Sequence, residues 1–134
     1  MPDSLRKALV ILNERPVPAP RPRFSRKGHA YNTQKYKDFK NKIKWKIPKW
    51  HSDKQIYIKI AFVYALPQSM SNRKKKLLDG KYCEKHADVD NLAKTILDTM
   101  NNRTFIDDRQ VVICVLEKFW GMEDMIKIEV EEFE

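Results

Sequence analysis

The chain has 134 residues, only three glycines, two cysteines and a formal net charge of +9. That length suits one domain with one core, and so few glycines exclude the Gly-rich phosphate cradles of nucleotide-binding folds. Cys83 and Cys114 lack CxxC or Cys/His spacing, so neither a zinc site nor a disulfide framework is expected, in keeping with a reducing cytoplasm. The apolar run near the N-terminus is too short for a secretory signal, and no stretch is long enough for a membrane span. The expectation is one soluble, intracellular domain over residues 1–134.

The charge is unevenly spread. Residues 1–86 carry 22 Lys and Arg against 6 Asp and Glu, a balance of +16, whereas residues 87–134 carry 5 against 12, a balance of −7. A basic surface with one acidic pocket suits a protein that grips a polyanion and does metal chemistry on it. A well-solvated basic protein with an acidic tail has the same totals.

In chain order, Ala8–Asn13 reads as a first strand. Arg15–Phe24 (RPVPAPRPRF) reads as an extended arm, because proline fixes φ and removes donors. It presents Arg21 and Arg23 as candidate phosphate contacts. After a turn at Ser25–His29, Thr33 caps an expected helix to about Lys46, with Tyr36, Phe39, Ile43 and Ile47 on its apolar side. Gln55–Leu66 (QIYIKIAFVYAL) is a central strand by its β-branched and aromatic content. Gln68–Lys85 reads as an exposed, mobile loop whose run Arg73, Lys74, Lys75, Lys76 can clamp a DNA backbone. Val111–Trp120 and Met125–Val130 read as strands paired through Gly121–Asp124. The order predicts a small α+β (mixed α/β) domain, a mixed sheet packed by two main helices.

Between these elements His86–Val112 holds five carboxylates: Asp88, Asp90, Asp98, Asp107 and Asp108. Asp90 is the expected N-cap of a helix beginning at Asn91, in which Leu92, Ala93, Ile96, Leu97 and Met100 fill one apolar arc. Lys94 then lies one turn from both Asp90 and Asp98. A bend at the helix start brings Asp88 and Asp90 toward one ion, with Asp107-Asp108 expected against that pair. Hard oxygen ligands of this kind suit Mg²⁺, with Mn²⁺ as a substitute. Taken singly, each acidic pair is better explained as a cap or a turn; Lys94 on the same flank and the basic surroundings reverse that preference.

The run DVDNLAK (88–94), then Asp98, then IDDRQVV (106–112), resembles the RusA family of Holliday junction resolvases. The PVPAPRPRF arm, the lysine-rich loop and Lys118 extend the resemblance, and the chain looks like the phage- and prophage-encoded members of Gram-positive bacteria. The resemblance implies a homodimeric, Mg²⁺-dependent endonuclease that nicks opposing strands of four-way junction DNA in recombination and repair, without a nucleotide cofactor. Matched by motif, Asp88, Asp90 and Asp108 are the implied metal and catalytic aspartates, Lys94 the motif lysine, and Asp107 a less certain neighbour. Arg21, Arg23 and Arg73–Lys76 are the implied DNA contacts. Ala87 stands where many relatives have proline. Two competing readings are a non-catalytic nucleic-acid-binding module with structural carboxylates, and a DxD transferase, which the chain's size and basic half disfavour.

Overall fold

The computed structural model describes residues 5–20 and 34–134. The elements run β1 (Lys7–Leu12), α1 (Gln34–Ile43), β2 (Gln55–Ala65), α2 (Asn72–Leu78), α3 (Val89–Met100), β3 (Val111–Gly121) and β4 (Met125–Phe133). Short 3-10 turns at Lys44–Lys46 and Asp108–Gln110 extend α1 and precede β3. The architecture is the expected α+β, a mixed four-stranded sheet in the order β1-β4-β2-β3. The positions of Arg21, Arg23 and the expected cap at Thr33 lie outside the described residues.

β2 is the central strand because its alternation is complete. Ile56, Ile58, Ile60, Phe62 and Tyr64 are buried on one face, while the residues between them are half-buried on the other. The buried row meets Phe39 and Ile43 of α1 and Leu92, Ile96 and Met100 of α3 in one core. The helical spacings read from the sequence therefore place the right side chains inward. Each large aliphatic or aromatic side chain so buried contributes about 1.5–3 kcal/mol.

The strand pairing differs from the expected hairpin. β3 pairs with β2 in parallel, and β4 pairs with β2 and β1 antiparallel, so β2 separates β3 from β4. Alternation marks which face of a strand is buried but not which strand lies beside it. The connection through α2 and α3 is long enough to return the chain to the same end of the sheet, as a parallel pair requires. Gly121 lies where the chain then crosses the end of β2. A Cβ there would stand 2.4 Å from Val63 Cγ1, so the close approach needs glycine.

The stretch expected to be a mobile loop contains α2. Ser71 caps it by accepting a hydrogen bond from the Lys74 amide at 3.2 Å, a local signal within an otherwise polar run. A second feature escaped the sequence pattern altogether. Glu132 on β4 is buried, and accepts from the Arg6 amide (2.9 Å), Arg6 Nε (2.8 Å), Arg6 Nη2 (2.9 Å) and Ser52 Oγ. Arg6 in turn lies over the Trp50 ring, 5.3 Å from its centroid. This cluster ties the chain before β1 to β4 and to the segment leading into β2.

Candidate active site

The start of α3 sits at the C-terminal ends of β2 and β3. Lys118 Nζ donates to the Ala87 carbonyl at 2.8 Å, and the Cys83 amide donates to the Lys118 carbonyl at 3.0 Å. His86, in the left-handed region at φ 71°, stacks on Tyr64 with centroids 4.2 Å apart and meets Trp120 edge-on at 5.6 Å. Partial burial, then the charges of Arg15 and Lys118, hold its imidazole below the usual pKa, which favours the neutral ring. The proline-rich arm lies along the same helix. The Ala19 amide donates to the Asn91 carbonyl at 3.0 Å, and Thr95 Oγ1 donates to the Val17 carbonyl at 2.7 Å.

The N-cap of α3 is Asp88 rather than Asp90, and its backbone is extended (φ −63°, ψ 140°). Both residues are aspartates, so sequence preference could not choose between them. The Asp88 side chain makes no capping hydrogen bond. Asp90 stands exposed in the first turn, where the unsatisfied amides of the helix favour negative charge. Lys94 points along the same flank, with Nζ 3.5 Å from Asp98 Oδ1.

Asp98 and Asp107 acquire structural work. Tyr36 Oη donates to Asp98 Oδ2 at 2.8 Å, joining α1 to α3, and burial and then this carboxylate raise the phenol's pKa. Asp107 caps the 3-10 turn before β3 by accepting from the Arg109 amide at 2.9 Å, a bond that also lowers its pKa. Gln110 completes that capping box through the Asp107 amide at 2.8 Å, and its Nε2 donates to the carbonyls of Ser52 (2.7 Å) and Lys54 (2.9 Å). Asp108, the first residue of the turn, is exposed.

These bonds locate Asp108 at the N-terminal end of β3, next to the start of β2. Asp88 and Asp90 lie at the other end. Seven residues of β3 separate Val111 from Lys118, roughly 23 Å at the rise of a strand. Within one protomer, therefore, Asp107-Asp108 does not fall against the first pair as expected. Among the described residues no group of three or more His, Cys, Asp or Glu side chains is placed to hold a metal ion. The order of motifs along the chain carried no warning of this, because α3 takes the chain the full length of the sheet between them.

Cations also stand at the end holding Asp88 and Asp90. The Gly80 amide donates to the Trp120 carbonyl at 2.9 Å, anchoring the end of α2 there, with Arg73, Lys74 and Lys76 exposed and Lys75 half-buried on that helix. A cleft of about 490 Å³ opens beside Ala87, lined in part by Arg15, Lys35, Tyr64 and His86. Arg15 stands over Tyr64, 5.1 Å from the ring centroid, and pairs with Asp124 at 3.3 Å. The sequence did not single out Arg15 as a site residue. The signal available was the position of Arg15 inside the proline-rich arm, which the structure lays against α3.

The model of the family described as endodeoxyribonuclease RusA matches residues 14–131. The chain belongs to the RusA endodeoxyribonuclease family. The match takes in the arm, α2, the acidic helix start and the whole sheet apart from β1 and the last residues of β4. RusA proteins are Holliday junction nucleases that depend on a divalent metal ion. No curated protein matches the chain. Among the described residues no helix is long and apolar enough to cross a membrane.

Proposed function

We propose that this RusA-family protein is a structure-selective endodeoxyribonuclease that resolves four-way DNA junctions by paired, Mg²⁺-dependent phosphodiester hydrolysis. In this reading it works as a homodimer on cytoplasmic, nucleoid-associated DNA during recombination and repair. The observation that carries the reading is the placement of Asp88 and Asp90 at the start of α3, beside a cation-lined cleft and the α2 cations. A four-way junction has approximate two-fold symmetry, which a C₂ dimer with two such ends matches.

The donor set fits the ion. Asp88 and Asp90 offer hard carboxylate oxygens, and Mg²⁺ is commonly held by one or two carboxylates together with waters and a substrate phosphate. These two would hold it; Asp107 is drawn into its cap, and Asp108, at the opposite end of β3, does not reach them within one protomer. When bound, the ion polarises a phosphodiester and lowers the pKa of an attacking water. The chain's own groups do the rest. Lys94 offsets negative charge developing on the phosphate one turn from Asp90, while its link to Asp98 keeps the ammonium on that flank. The cations of α2, with Arg15 and Lys35, hold the phosphate backbone and read shape rather than sequence.

A binding module with structural carboxylates accounts for Asp98 and Asp107, each engaged in a hydrogen bond that joins or caps elements. It does not account for an exposed Asp90 in a basic setting. Metal-stripped protein and a labelled four-way junction separate the two readings. Binding is expected without metal, and cutting only once Mg²⁺ is added; binding with no product at any Mg²⁺ concentration would favour the module. Replacing Arg73, Lys74, Lys75 and Lys76 together by alanine should weaken binding to every DNA tested. The slope of log affinity against log salt should fall by roughly 0.9 for each duplex phosphate that is no longer neutralised, measured by titration at several salt concentrations.

A further inference from the structure

We propose that Trp45, with Lys44 and Arg103 against its ring, is a stacking platform for an unpaired base of a DNA strand, and that the neighbouring lysines hold the flanking phosphates. The inference rests on the reading above that the chain acts on DNA. It adds a binding site that lies apart from Asp88 and Asp90.

The chain has three tryptophans. Trp50 and Trp120 are partly buried against the core, whereas Trp45 is 73% exposed. It stands in the middle of the 3-10 turn Lys44–Lys46. Ile43 and Ile47, on either side of that turn, are buried, so the turn directs the indole away from the core. Lys44 Nζ lies 4.8 Å from the ring centroid and Arg103 Cζ 5.5 Å from it. Arg103 is itself well anchored. Its Nε donates to the Ile47 carbonyl at 3.1 Å, its amide donates to the Met100 carbonyl at 3.0 Å, and its carbonyl accepts from the His51 amide at 2.9 Å. With both cations in place, most of the surface of Trp45 stays open to a second flat ring.

The charge around the ring is not neutralised. Among the described residues no carboxylate forms an ion pair with Lys44, Lys46, Lys49 or Arg103, so their charge is left to attract an anion. Cations just beyond the C-terminal ends of α1 and α3 also offset the helix dipoles. That accounts for Lys44 and Arg103 but not for an indole set between them. Aromatic rings interleaved with cations are how proteins hold single-stranded nucleic acid: the ring takes the face of a base, whichever base it is, and the cations follow the phosphates. Bases inside a duplex are already stacked on their neighbours, whereas those at a branch point can be unstacked. The patch lies at the end of the sheet that carries Asp108. Arg103 is bonded to His51, and the carbonyl of Ser52, the next residue, accepts from Gln110 Nε2 at 2.7 Å. Asp88 and Asp90 lie at the far end of α3, roughly 18 Å away along its 12 residues.

The test reads binding without cutting, in EDTA, on three probes of equal length: single-stranded oligothymidylate, a strand of the same backbone without bases, and a linear duplex. Trp45→Ala is expected to weaken oligothymidylate binding about tenfold and to leave the other two probes within about twofold. The salt slope should not change, because no charge is removed. Oligothymidylate should also quench the tryptophan emission of the wild type. Trp45→Phe, which keeps a ring able to stack, should retain most of the affinity and lose most of that quenching. Unchanged oligothymidylate affinity in Trp45→Ala, or undiminished quenching in Trp45→Phe, would overturn the proposal. Equal weakening on all three probes would do so too, since the ring would then serve the fold or the backbone contacts. A wild type that binds a four-way junction but not oligothymidylate overturns this proposal alone; one that binds no DNA overturns the nuclease reading with it.

Discussion

Asp90→Asn is expected to lower junction cutting by at least about a thousandfold, equivalent to roughly 4 kcal/mol of transition-state stabilisation, while junction binding stays within about twofold. The substitution keeps the side chain's size and removes its charge. Asp90 is exposed in the first turn of α3 and is not the residue that caps it, so the helix has little reason to unravel. Loss of the helix-start charge costs a few tenths to one kcal/mol at most. Steady-state nicking and gel-shift titration on one protein preparation separate the two effects. A variant that loses binding and thermal stability along with cutting would show that Asp90 works for the fold.

The largest effect on stability is expected far from that end, at Glu132. Its carboxylate accepts four hydrogen bonds from Arg6 and Ser52, which hold its pKa down to about 2, the Arg6 side-chain bond contributing most. Glu132→Gln turns an acceptor of these bonds into a group that presents donors of its own to Arg6. Removing one partner of a buried pair costs about 3–5 kcal/mol, and the half-exposed Arg6 side chain places this case near the lower end. A loss of about 3 kcal/mol corresponds to roughly 10 °C in melting temperature for a domain of this size. The pH dependence follows from the direction of the shift. A carboxylate whose pKa is depressed on folding contributes its full stabilisation above its unfolded value, near 4.5. That stabilisation declines as pH falls below this value and is gone below about 2. The gap between wild type and Glu132→Gln should therefore be widest at pH 7, reduced by about half at pH 3, and closing only toward pH 2. Equal melting temperatures at pH 7 would show that the cluster contributes nothing net.

Much of the fold is legible in local pattern. The spacing of Tyr36, Phe39 and Ile43, and of Leu92, Ile96 and Met100, names the core sides of α1 and α3, because burial of one helical face imposes that period. The alternation of β2 likewise names its buried row. Neighbour relations are not local. Nothing in VVICVLEKFW or MIKIEV says that β2 lies between them, and the near contact of their ends at Gly121–Asp124 invites a hairpin. Ser71 and Gln110 act through short-range caps inside polar stretches, and Glu132 reads as one more surface acid in a charged C-terminus until Arg6 is brought to it from 126 residues away.

The candidate site was legible as a set of residues and not as an arrangement. Asp88, Asp90, Lys94 and Asp108 stand out through spacing and family resemblance. That Asp98 and Asp107 serve hydrogen bonds became visible only when Tyr36 and the Arg109 amide were placed beside them. The separation of Asp108 from the other two follows from the length of α3 and the parallel pairing of β2 and β3, neither of which a motif records.

Junction cleavage mapped on all four strands tests the account most directly. With each strand end-labelled in turn and Mg²⁺ present, the prediction is nicks at symmetric positions in two opposing strands, none in the other two, and none in a linear duplex carrying the same sequence. Cutting of the linear duplex at a rate equal to the junction would contradict the account.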